Sequence, residues 1–305
     1  MSLVWQKIIR PMFFCLDAER AHEIGIGALR LGIVSGNFGG SDDEFGDIER
    51  FGLKFSNPIG MAAGFDKNGL VVDQLANLGF GAVEVGTVTL EPQTGNEKPR
   101  LFRLPEDKAL INRLGFNNQG AERIAERLGK IQRNCIVGVN IGKNRNVPNE
   151  EAVENYLQCF DRVYEVADYV AVNISSPNTP NLRELQRADN LEALIVGLQE
   201  RNGLLSSRFS GRSVAQRPPE DGAQNEGETT SKPLLVKIAP DLCDAEIEAI
   251  VDIFLRHKIS GIIATNTTIQ RQKLKTGDLG RFDDGGLSGM PLAERSNRVI
   301  SAIYK

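Results

Sequence analysis

Histidine is scarce in this chain of 305 residues, in which only His22 and His257 occur. A metal site built from several histidines is therefore nearly excluded. The four cysteines lie far apart, with no CxxC pair and no histidine nearby. This spacing favours reduced thiols in the core over a zinc site or a disulfide framework. We accordingly predict no metal centre.

Long apolar runs are also missing. No run approaches the roughly 18 residues that cross a bilayer, and the N-terminal stretch is interrupted by Gln6, Lys7, Arg10 and Pro11. It therefore predicts neither a spanning helix nor a secretory signal. The net charge of −4 gives no reason to expect nucleic acid as a partner. With 41% hydrophobic and 25% charged residues, the chain can bury a sizeable core.

Short apolar runs alternate with amphipathic stretches from about residue 55 onward. Nearly every run is apolar on both alternate positions, which is typical of parallel strands covered on both faces. Six consecutive strand–helix units predict a parallel α/β protein. The runs span 58–64, 82–88, 135–142, 169–175, 233–239 and 260–266.

Two architectures fit this alternation: a doubly wound sheet and a (β/α)8 TIM barrel. The first normally carries a GxGxxG turn after an early strand, and no such turn is present. The segment "GVNIGKN" (138–144) is too short for a phosphate-binding P-loop. A barrel gathers the carboxyl ends of its strands on one face, so it explains why polar residues lie at or just beyond so many of those ends. These residues are Lys67, Thr87, Asn140, Asn173, Thr265 and Asn266.

The predicted barrel is short. The helical pattern of 291–305 belongs to the sixth unit, so two units of an eight-unit barrel are not in this sequence and a sheet edge is expected to stay open. Residues 202–233 are rich in Ser, Gly, Gln, Glu and Pro, and they predict a mobile insertion on the face opposite the site. A linker role is favoured for this insertion, with partner binding as the alternative.

Two helices are predicted ahead of the barrel, over 3–14 and 18–33. Their large apolar residues have two interpretations. The helices could cover the N-terminal side of the barrel, which composition alone favours. They could instead lie in a membrane interface and admit a lipophilic ligand.

Neutral amides dominate the predicted site. A buried, unpaired amide costs roughly 1–3 kcal/mol, so a cluster of them implies either an internal hydrogen-bond network or a polar, planar ligand. A single asparagine at a strand end could be structural, but several together favour a ligand. The amides at or near strand ends are Asn140, Asn173, Asn178 and Asn266, and the segment "INRLGFNN" (111–118) adds more.

Three further residues could carry chemistry. Lys237 lies within the apolar run "LLVKIAP", so it must either be paired or face an anion. Lys67 could pair with Asp66 at the surface or bind an anion beyond the first strand. Ser176 follows a strand end, where a serine is more often a turn residue than a catalyst. Because no histidine lies near it in sequence, a Ser-His-Asp hydrolase is not expected.

A series of motifs, in order along the chain, carries a resemblance to a known family. They are "NPIGMAAGFDKNG", "VEVGTVTLEPQTGNEKPRLFRLPEDKALINRLGFNNQG", "VGVNIGKN", "VNISSPNTPNLREL", "LLVKIAPD", "IIATNTT" and "GGLSGMPL". Together they resemble the dihydroorotate dehydrogenases, specifically the class 2, quinone-dependent branch. The resemblance implies a barrel that holds FMN and oxidises dihydroorotate to orotate in pyrimidine biosynthesis, with ubiquinone as the final electron acceptor.

The resemblance also implies roles for individual residues. Ser176 matches the catalytic base, and His22 and Arg103 match polar residues of the quinone tunnel. The residues that match substrate contacts are Lys67, Asn112, Arg113, Leu114, Gly115, Phe116, Asn173, Asn178, Asn266 and Thr267. Those that match flavin contacts are Ala63, Gly64, Lys67, Thr87, Asn140, Asn173, Lys237, Thr265 and Gly289.

The implied organisation has two parts: residues 1–40 form a helical tunnel and membrane-association segment, and residues 48–305 form the FMN barrel. The resemblance favours the mitochondrial inner membrane, or the bacterial cytoplasmic membrane in a prokaryote. The family binds the FMN phosphate at the seventh and eighth strands, so a chain without them is expected to lose phosphate affinity. A non-catalytic barrel is the first alternative. A flavin-barrel oxidase of hydroxy acids is the second, although it would not explain Ser176.

Overall fold

The computed structural model describes residue 3 and residues 5–34, 46–209, 231–277 and 284–305. A π-helix, Trp5–Ile9, leads into the first α-helix. The helices are α1 (Arg10–Cys15), α2 (Ala18–Arg30), α3 (Val72–Asn77), α4 (Ala121–Leu128), α5 (Ala152–Val163), α6 (Ala188–Phe209), α7 (Asp244–Arg256) and α8 (Met290–Ile303). The strands are β1 (Ile48–Arg50), β2 (Leu53–Phe55), β3 (Gly60–Met61), β4 (Ala82–Val88), β5 (Leu101–Leu104), β6 (Ala109–Asn112), β7 (Ile136–Ile141), β8 (Tyr169–Asn173), β9 (Leu234–Ile238), β10 (Gly261–Ala264) and β11 (Gly286–Gly289).

The predicted parallel sheet is confirmed. Its six strands run in the order β10-β9-β8-β7-β4-β3, and every neighbouring pair is parallel. β3 is much shorter than the predicted run of 58–64. The chain leaves the ladder after Met61, and Gly64 adopts φ +109° while its N–H bonds to the carbonyl of Gly86 at 2.8 Å. Strand pairing there gives way to a loop that faces the site.

Alternation along the strands separates two apolar layers. Val83, Val85, Val137 and Val139 belong to the main core between the sheet and its helices. Residues of the opposite parity form a second cluster on the inner face of the sheet, near the strand starts: Ala82, Ile136, Tyr169, Ala171 and Leu235. This second cluster forms an apolar floor, and the polar residues at the carboxyl ends of the strands lie above it.

A short hairpin covers that floor. β1 and β2 pair antiparallel, and Leu53 and Phe55 pack on the inner apolar cluster. The N-terminal helices lie elsewhere: α2 contacts β5, and its His22 and Ile26 line the cavity at the strand ends. The interpretation of these helices as a cover for the N-terminal side of the barrel is therefore wrong.

A second sheet, which the sequence did not reveal, forms one wall of the site. β5, β6 and β11 pair antiparallel, with Ile111 opposite Leu287 and Asn112 opposite Gly286. These strands enclose a small core of Leu104, Ile111 and Leu287. The pairing fixes Asn112 at the end of β6, beside the cavity.

Two expectations need correction. Residues 202–209 continue α6, because Asn202 exchanges hydrogen bonds with Lys232 at 2.8 and 3.0 Å and Ser206 is buried. The predicted insertion therefore starts too early, and its part from 210 to 230 lies outside the described residues. The prediction of core thiols holds for Cys135 and Cys159, whereas Cys15 and Cys243 are exposed. Within the described ranges, every helix falls short of the length and apolar content needed to cross a membrane.

Candidate active site

A cavity of about 820 Å³ opens at the carboxyl ends of the parallel strands. Its walls come from α2, from the segments after β3 and β6, and from the ends of β8, β9 and β10. Most of the predicted site residues line this one cavity. They are His22, Ala63, Gly64, Lys67, Thr87, Asn112, Leu114, Gly115, Phe116, Asn173, Ser176, Asn178, Lys237, Thr265, Asn266 and Thr267.

Four predicted site residues do not line the cavity. Asn140 is fully buried behind its wall. Arg113 donates to the carbonyl of Pro99. Arg103 donates to the carbonyl of Leu16 at 2.9 Å, ahead of α2. Gly289 ends β11, where its backbone approaches Lys108 so closely that an added Cβ would lie 2.4 Å from the carbonyl oxygen.

Ser176 lies three residues beyond the end of β8. It is buried, and its Oγ accepts a hydrogen bond from the backbone N–H of Asn178 at 3.2 Å. The turn that carries it is fixed from behind by Arg183, which donates to the carbonyl of Ser175 at 3.1 Å. The serine oxygen therefore faces the cavity from a held position, with an N–H available to stabilise negative charge on it.

The amides form hydrogen bonds with one another around the cavity. Asn178 Nδ2 donates to Asn112 Oδ1 at 3.0 Å, and Asn266 Nδ2 donates to Asn173 Oδ1 at 3.2 Å and to Ser175 Oγ at 3.0 Å. The residues of the internal network are thus the same as those of the predicted ligand site. Their mutual bonds fix the side chains, and a primary amide still has a further donor or lone pair to offer a ligand.

Lys67 is half-buried at the cavity edge. Its Nζ donates to Asn117 Oδ1 at 2.5 Å and to the carbonyl of Gly115 at 3.1 Å. Burial, together with the nearby charge of Arg100, lowers the pKa of Lys67 to about 7, against an opposing effect of Glu19. The predicted surface ion pair between Lys67 and Asp66 is wrong, since the Asp66 carboxylate accepts hydrogen bonds from backbone N–H groups of its own loop instead.

Lys237 extends from β9 into the cavity wall. Its ammonium makes no hydrogen bond or ion pair with any other residue of the described ranges, so a barrel-closing ion pair does not explain it there. Thr267 Oγ1 is also buried without a hydrogen-bond partner in the same part of the structure. Both groups fit a site whose ligand supplies the missing acceptor or donor.

His22 faces the cavity from α2. Its ring lies edge-on to Phe65, with centroids 5.1 Å apart. Burial lowers the pKa of His22, which keeps the ring neutral near pH 7.

Sequence reasoning missed one buried ion pair beside the site. Glu19 of α2 binds Arg100, with Nε 3.0 Å from Oε2 and Nη2 2.6 Å from Oε1. Arg100 Nη1 also donates to the carbonyls of Thr94 and Asn96, both at 2.7 Å. Glu19 precedes His22 by three residues, which places both on one helix face, but a partner 81 residues away is not readable from that spacing.

Sequence reasoning also missed a buried carboxylate inside the sheet, that of Glu84. Glu84 accepts hydrogen bonds from Tyr169 and from Asn140. A signal was present, because a charged residue within the otherwise apolar and neutral run "AVEVGTV" has to find polar partners.

The fold and the cavity define a partial α/β barrel with an N-terminal helical extension, and its site holds neutral amides, hydroxyls and two lysines at the strand ends. The sequence profile described as "Dihydroorotate dehydrogenase" matches residues 47–305. The chain belongs to the dihydroorotate dehydrogenase family.

Individual relatives point to the quinone-dependent branch. A dihydroorotate dehydrogenase (quinone) of Stenotrophomonas maltophilia is 45% identical over 297 residues, which cover 96% of this chain and 79% of the relative. One from Gloeobacter violaceus is 44% identical, covering 98% and 78%. A crystal structure of a dihydroorotate dehydrogenase from Eimeria tenella in complex with ferulenol superposes with a TM-score of 0.82 at 39% identity, covering 94% of this chain and 76% of that one. These matches confirm the class 2 assignment and exclude the hydroxy-acid oxidase.

Proposed function

We propose that this protein oxidises (S)-dihydroorotate to orotate in pyrimidine (UMP) biosynthesis, with FMN as the hydride acceptor and ubiquinone as the final electron acceptor. The observation that carries the proposal is the meeting of Ser176, the amide cluster and two lysines in one cavity at the strand ends. A planar imide with one carboxylate matches this set of groups, since amides can pair with the imide edge and a lysine with the carboxylate.

Asn112, Asn173, Asn178, Asn266 and Thr267 are the proposed ring contacts. Asn112 is hydrogen-bonded to Asn178, and Asn173 to Asn266, so two amide pairs border the cavity. Leu114, Gly115 and Phe116 line the cavity in the segment after β6, and the neighbouring Arg113 holds that segment to Pro99 from outside.

Lys67 is the proposed partner of the substrate carboxylate. In its protonated form it carries three N–H groups, and two already reach Asn117 and Gly115. The third can meet a carboxylate in the cavity. A neighbouring anion favours the charged form, so binding would raise the pKa of Lys67 from its low value.

Ser176 is the proposed base that takes the C5 proton of dihydroorotate as the C6 hydride leaves, which creates the C5=C6 double bond of orotate. A serine is a weak base alone. The N–H of Asn178 at 3.2 Å stabilises negative charge on Oγ, and the enclosing turn keeps the oxygen buried.

The cavity fits an FMN ring on two grounds. The Lys237 ammonium, which has no hydrogen-bond or ion-pair partner among the described residues, suits a carbonyl or anionic ring edge. A Cβ added at Gly64 would project into open space at the cavity. The residues proposed to hold FMN in the cavity are Ala63, Gly64, Lys67, Thr87, Asn173, Lys237 and Thr265. Of the other two predicted flavin contacts, Asn140 supports Thr87 from behind the wall and Gly289 lies off the cavity at the end of β11. When bound, the flavin supplies the two-electron chemistry of hydride acceptance, and Lys237 would stabilise negative charge on the reduced ring.

The N-terminal helices are the proposed quinone entry and membrane contact, corresponding to a segment of 1–40 ahead of a barrel of 48–305. His22, Ile26 and Gly27 line the cavity, whereas Leu3, Trp5, Ile8 and Met12 are exposed. Exposed apolar residues on short helices suit an interfacial location. The membrane is proposed to be the mitochondrial inner membrane, or the bacterial cytoplasmic membrane in a prokaryote. Arg103 holds the chain ahead of α2.

An absorption spectrum tests the proposal. The purified chain is recorded before and after anaerobic addition of dihydroorotate, and then after a short-chain ubiquinone analogue. We expect a flavin band that bleaches with dihydroorotate and returns with quinone. A protein that retains no flavin, or whose flavin dihydroorotate does not bleach, would instead support the non-catalytic barrel.

A further inference from the structure

Glu84 places a carboxylate inside the curved sheet, between the apolar floor and the cavity. The residue lies in the middle of β4 and is buried. Tyr169 donates its hydroxyl to Oε2 at 3.0 Å, and Asn140 donates Nδ2 to Oε1 at 2.9 Å. Burial and the charge of Glu84 raise the pKa of Tyr169 well above its ordinary range, so this hydroxyl remains a donor.

A chain of hydrogen bonds leads from this carboxylate to the cavity wall. Thr87 Oγ1 donates to Asn140 Oδ1 at 2.6 Å, and Asn173 Nδ2 donates to Thr87 Oγ1 at 2.8 Å. Asn266 Nδ2 in turn donates to Asn173 Oδ1 at 3.2 Å. Glu84 and Asn140 lie behind the wall, whereas Thr87, Asn173 and Asn266 line it. Every donor in the chain points toward Glu84.

This common direction follows from the chemistry of the carboxylate. An ionised carboxylate accepts hydrogen bonds and donates none. Asn140 must therefore turn its NH2 group toward Glu84 and its carbonyl oxygen toward Thr87. The Thr87 hydroxyl must donate to that oxygen, which leaves its lone pairs for the NH2 group of Asn173. The carbonyl oxygen of Asn173 is then left for Asn266 and for the backbone N–H and hydroxyl of Ser175, which donate to it at 3.2 Å.

An amide in place of the carboxylate would not impose this order. A chain of amides and hydroxyls satisfies its bonds in either direction, because each member can both donate and accept. The buried anion removes one of the two directions for Asn140 and Thr87. At Asn173 this order agrees with the backbone N–H of Ser175, which donates to the same Oδ1 at 3.2 Å.

We propose that Glu84 is a positioning residue for the substrate site: it acts through Asn140 to hold the Thr87 hydroxyl, and Thr87 and the backbone N–H of Ser175 together fix which edge of the Asn173 amide faces the ligand. A ring with both imide N–H and carbonyl groups requires donors and acceptors in a fixed order, so the reversed chain would present the wrong one. The identity of the ligand rests on the proposed function, whereas the orientation of the chain does not.

Two variants separate positioning from simple burial. Glu84→Gln keeps the shape of the side chain but allows both directions. Tyr169→Phe, the matched control, removes the other donor to Glu84 and leaves the carboxylate in contact with Asn140. Both are made in the full 305-residue chain, labelled with 15N-asparagine for side-chain amide spectra without ligand. Orotate affinity is then measured by calorimetry. The Asn173 signals are assigned by their loss in Asn173→Ala.

In Glu84→Gln we expect the Asn173 NH2 signals to shift or double, although Asn140 and Thr87 separate the two residues, and orotate to bind about 10- to 100-fold more weakly. In Tyr169→Phe we expect one unshifted set of Asn173 NH2 signals, and an orotate affinity within about threefold of that of the parent protein. If Glu84→Gln does not fold, Asn140→Ala breaks the chain while the carboxylate keeps its hydrogen bond from Tyr169, and it should weaken orotate binding equally.

Unchanged Asn173 signals in a folded Glu84→Gln protein would overturn the proposal, as would equal loss of orotate affinity in both variants. If the parent protein does not bind orotate at all, the proposed function fails, and the Asn173 spectra still decide whether Glu84 orients the chain.

Discussion

The guanidinium of Arg183 pairs with the carboxylate of Asp241, with Nη1 and Oδ2 2.8 Å apart. The same guanidinium donates to the carbonyl oxygens of Ser175 and Thr267, at 3.1 and 3.0 Å. Asp241 also accepts the hydroxyl proton of Thr268. One ion pair thus joins the segments that follow three neighbouring strands, and it does so from outside the cavity.

Replacing Arg183 by alanine should loosen the turn that carries Ser176. The carbonyls of Ser175 and Thr267 lose a charged donor, at a cost of roughly 1–3 kcal/mol. We expect flavin reduction by dihydroorotate to slow about 10- to 100-fold, with the flavin spectrum unchanged, in stopped-flow measurements. Arg187→Ala is the matched control, because Arg187 is exposed on the same segment. Equal slowing in both variants would rule out the positioning role of Arg183.

Replacing Ser176 by alanine should nearly abolish flavin reduction while FMN stays bound. The substitution removes the proposed base and leaves the cavity wall otherwise intact. Anaerobic mixing with dihydroorotate measures the rate, and Ser207→Ala on the exposed face of α6 serves as the control. Normal reduction in Ser176→Ala would disprove the assignment of the base.

The pH dependence of substrate capture should report Lys67. Because its pKa is lowered to about 7, the free enzyme loses the charged form as the pH rises above 7. We expect kcat/KM for dihydroorotate to fall by about tenfold per pH unit above pH 7, since each unit removes tenfold of the protonated lysine. In Lys67→Arg the charge persists, so the fall should vanish even if the overall rate is lower. A fall of the same slope in Lys67→Arg would assign it to another group.

The low pKa of Lys67 also has a consequence for stability. The unfolded chain holds the proton up to the ordinary value of 10.5, whereas the folded chain releases it near 7. Between these values the unfolded state binds more protons, so this group favours the folded state increasingly as the pH rises from 7 to 10.5. Lys67→Met should remove that gain, as measured by urea unfolding at several pH values.

Replacing Glu19 by glutamine should destabilise the chain by about 3–5 kcal/mol, because Arg100 would stay buried without its counter-charge. Glu23→Gln is the control, since Glu23 is exposed and its ion pair with Lys98 lies at the surface. It should change the free energy of unfolding by about 0–1 kcal/mol. Similar unfolding midpoints for the two variants would contradict the special role of the Glu19–Arg100 pair.

Replacing His22 by alanine should separate the two halves of the reaction. The residue lies on α2, on the proposed quinone side, so reoxidation by a ubiquinone analogue should slow about tenfold for the loss of one polar contact. Reduction by dihydroorotate should keep its rate. A slower reduction step would place His22 on the substrate side instead.

The parallel strands were predictable because each has a local signal. An apolar run such as 169–175 specifies a buried strand by itself. Polar residues near the carboxyl ends of such runs, for example Asn173 and Lys237, are recognisable from the sequence as site candidates. β5, β6 and β11 carry no comparable pattern, since their pairing depends on residues far apart in sequence. The prediction ends helix α6 too early because "NGLLSSRF" has a loop-like composition. The stretch is held in place by long-range contacts, namely the hydrogen bonds of Asn202 with Lys232 and the stacking of Phe209 on Tyr164.

The cavity residues divide in the same way. Those that end a strand, such as Thr87 and Asn266, could be placed from the strand pattern, whereas the partners that hold them could not. Glu84 needed Tyr169 and Asn140 from two other strands, and Arg183 needed Asp241 from beyond β9. The order and register of the strands determine which of these residues meet, and a single sequence does not reveal that order or register.

The pairing of β11 with β6 also bears on how the protein folds. Asn112 donates to the carbonyl of Gly286, 174 residues further along the chain. Closing so long a loop delays the contact relative to local ones. During synthesis from the N-terminus, the wall that carries Asn112 therefore acquires its last neighbour only after the sixth strand has been made. Until then the nascent chain has a helix-covered sheet but an unfinished cavity at the strand ends.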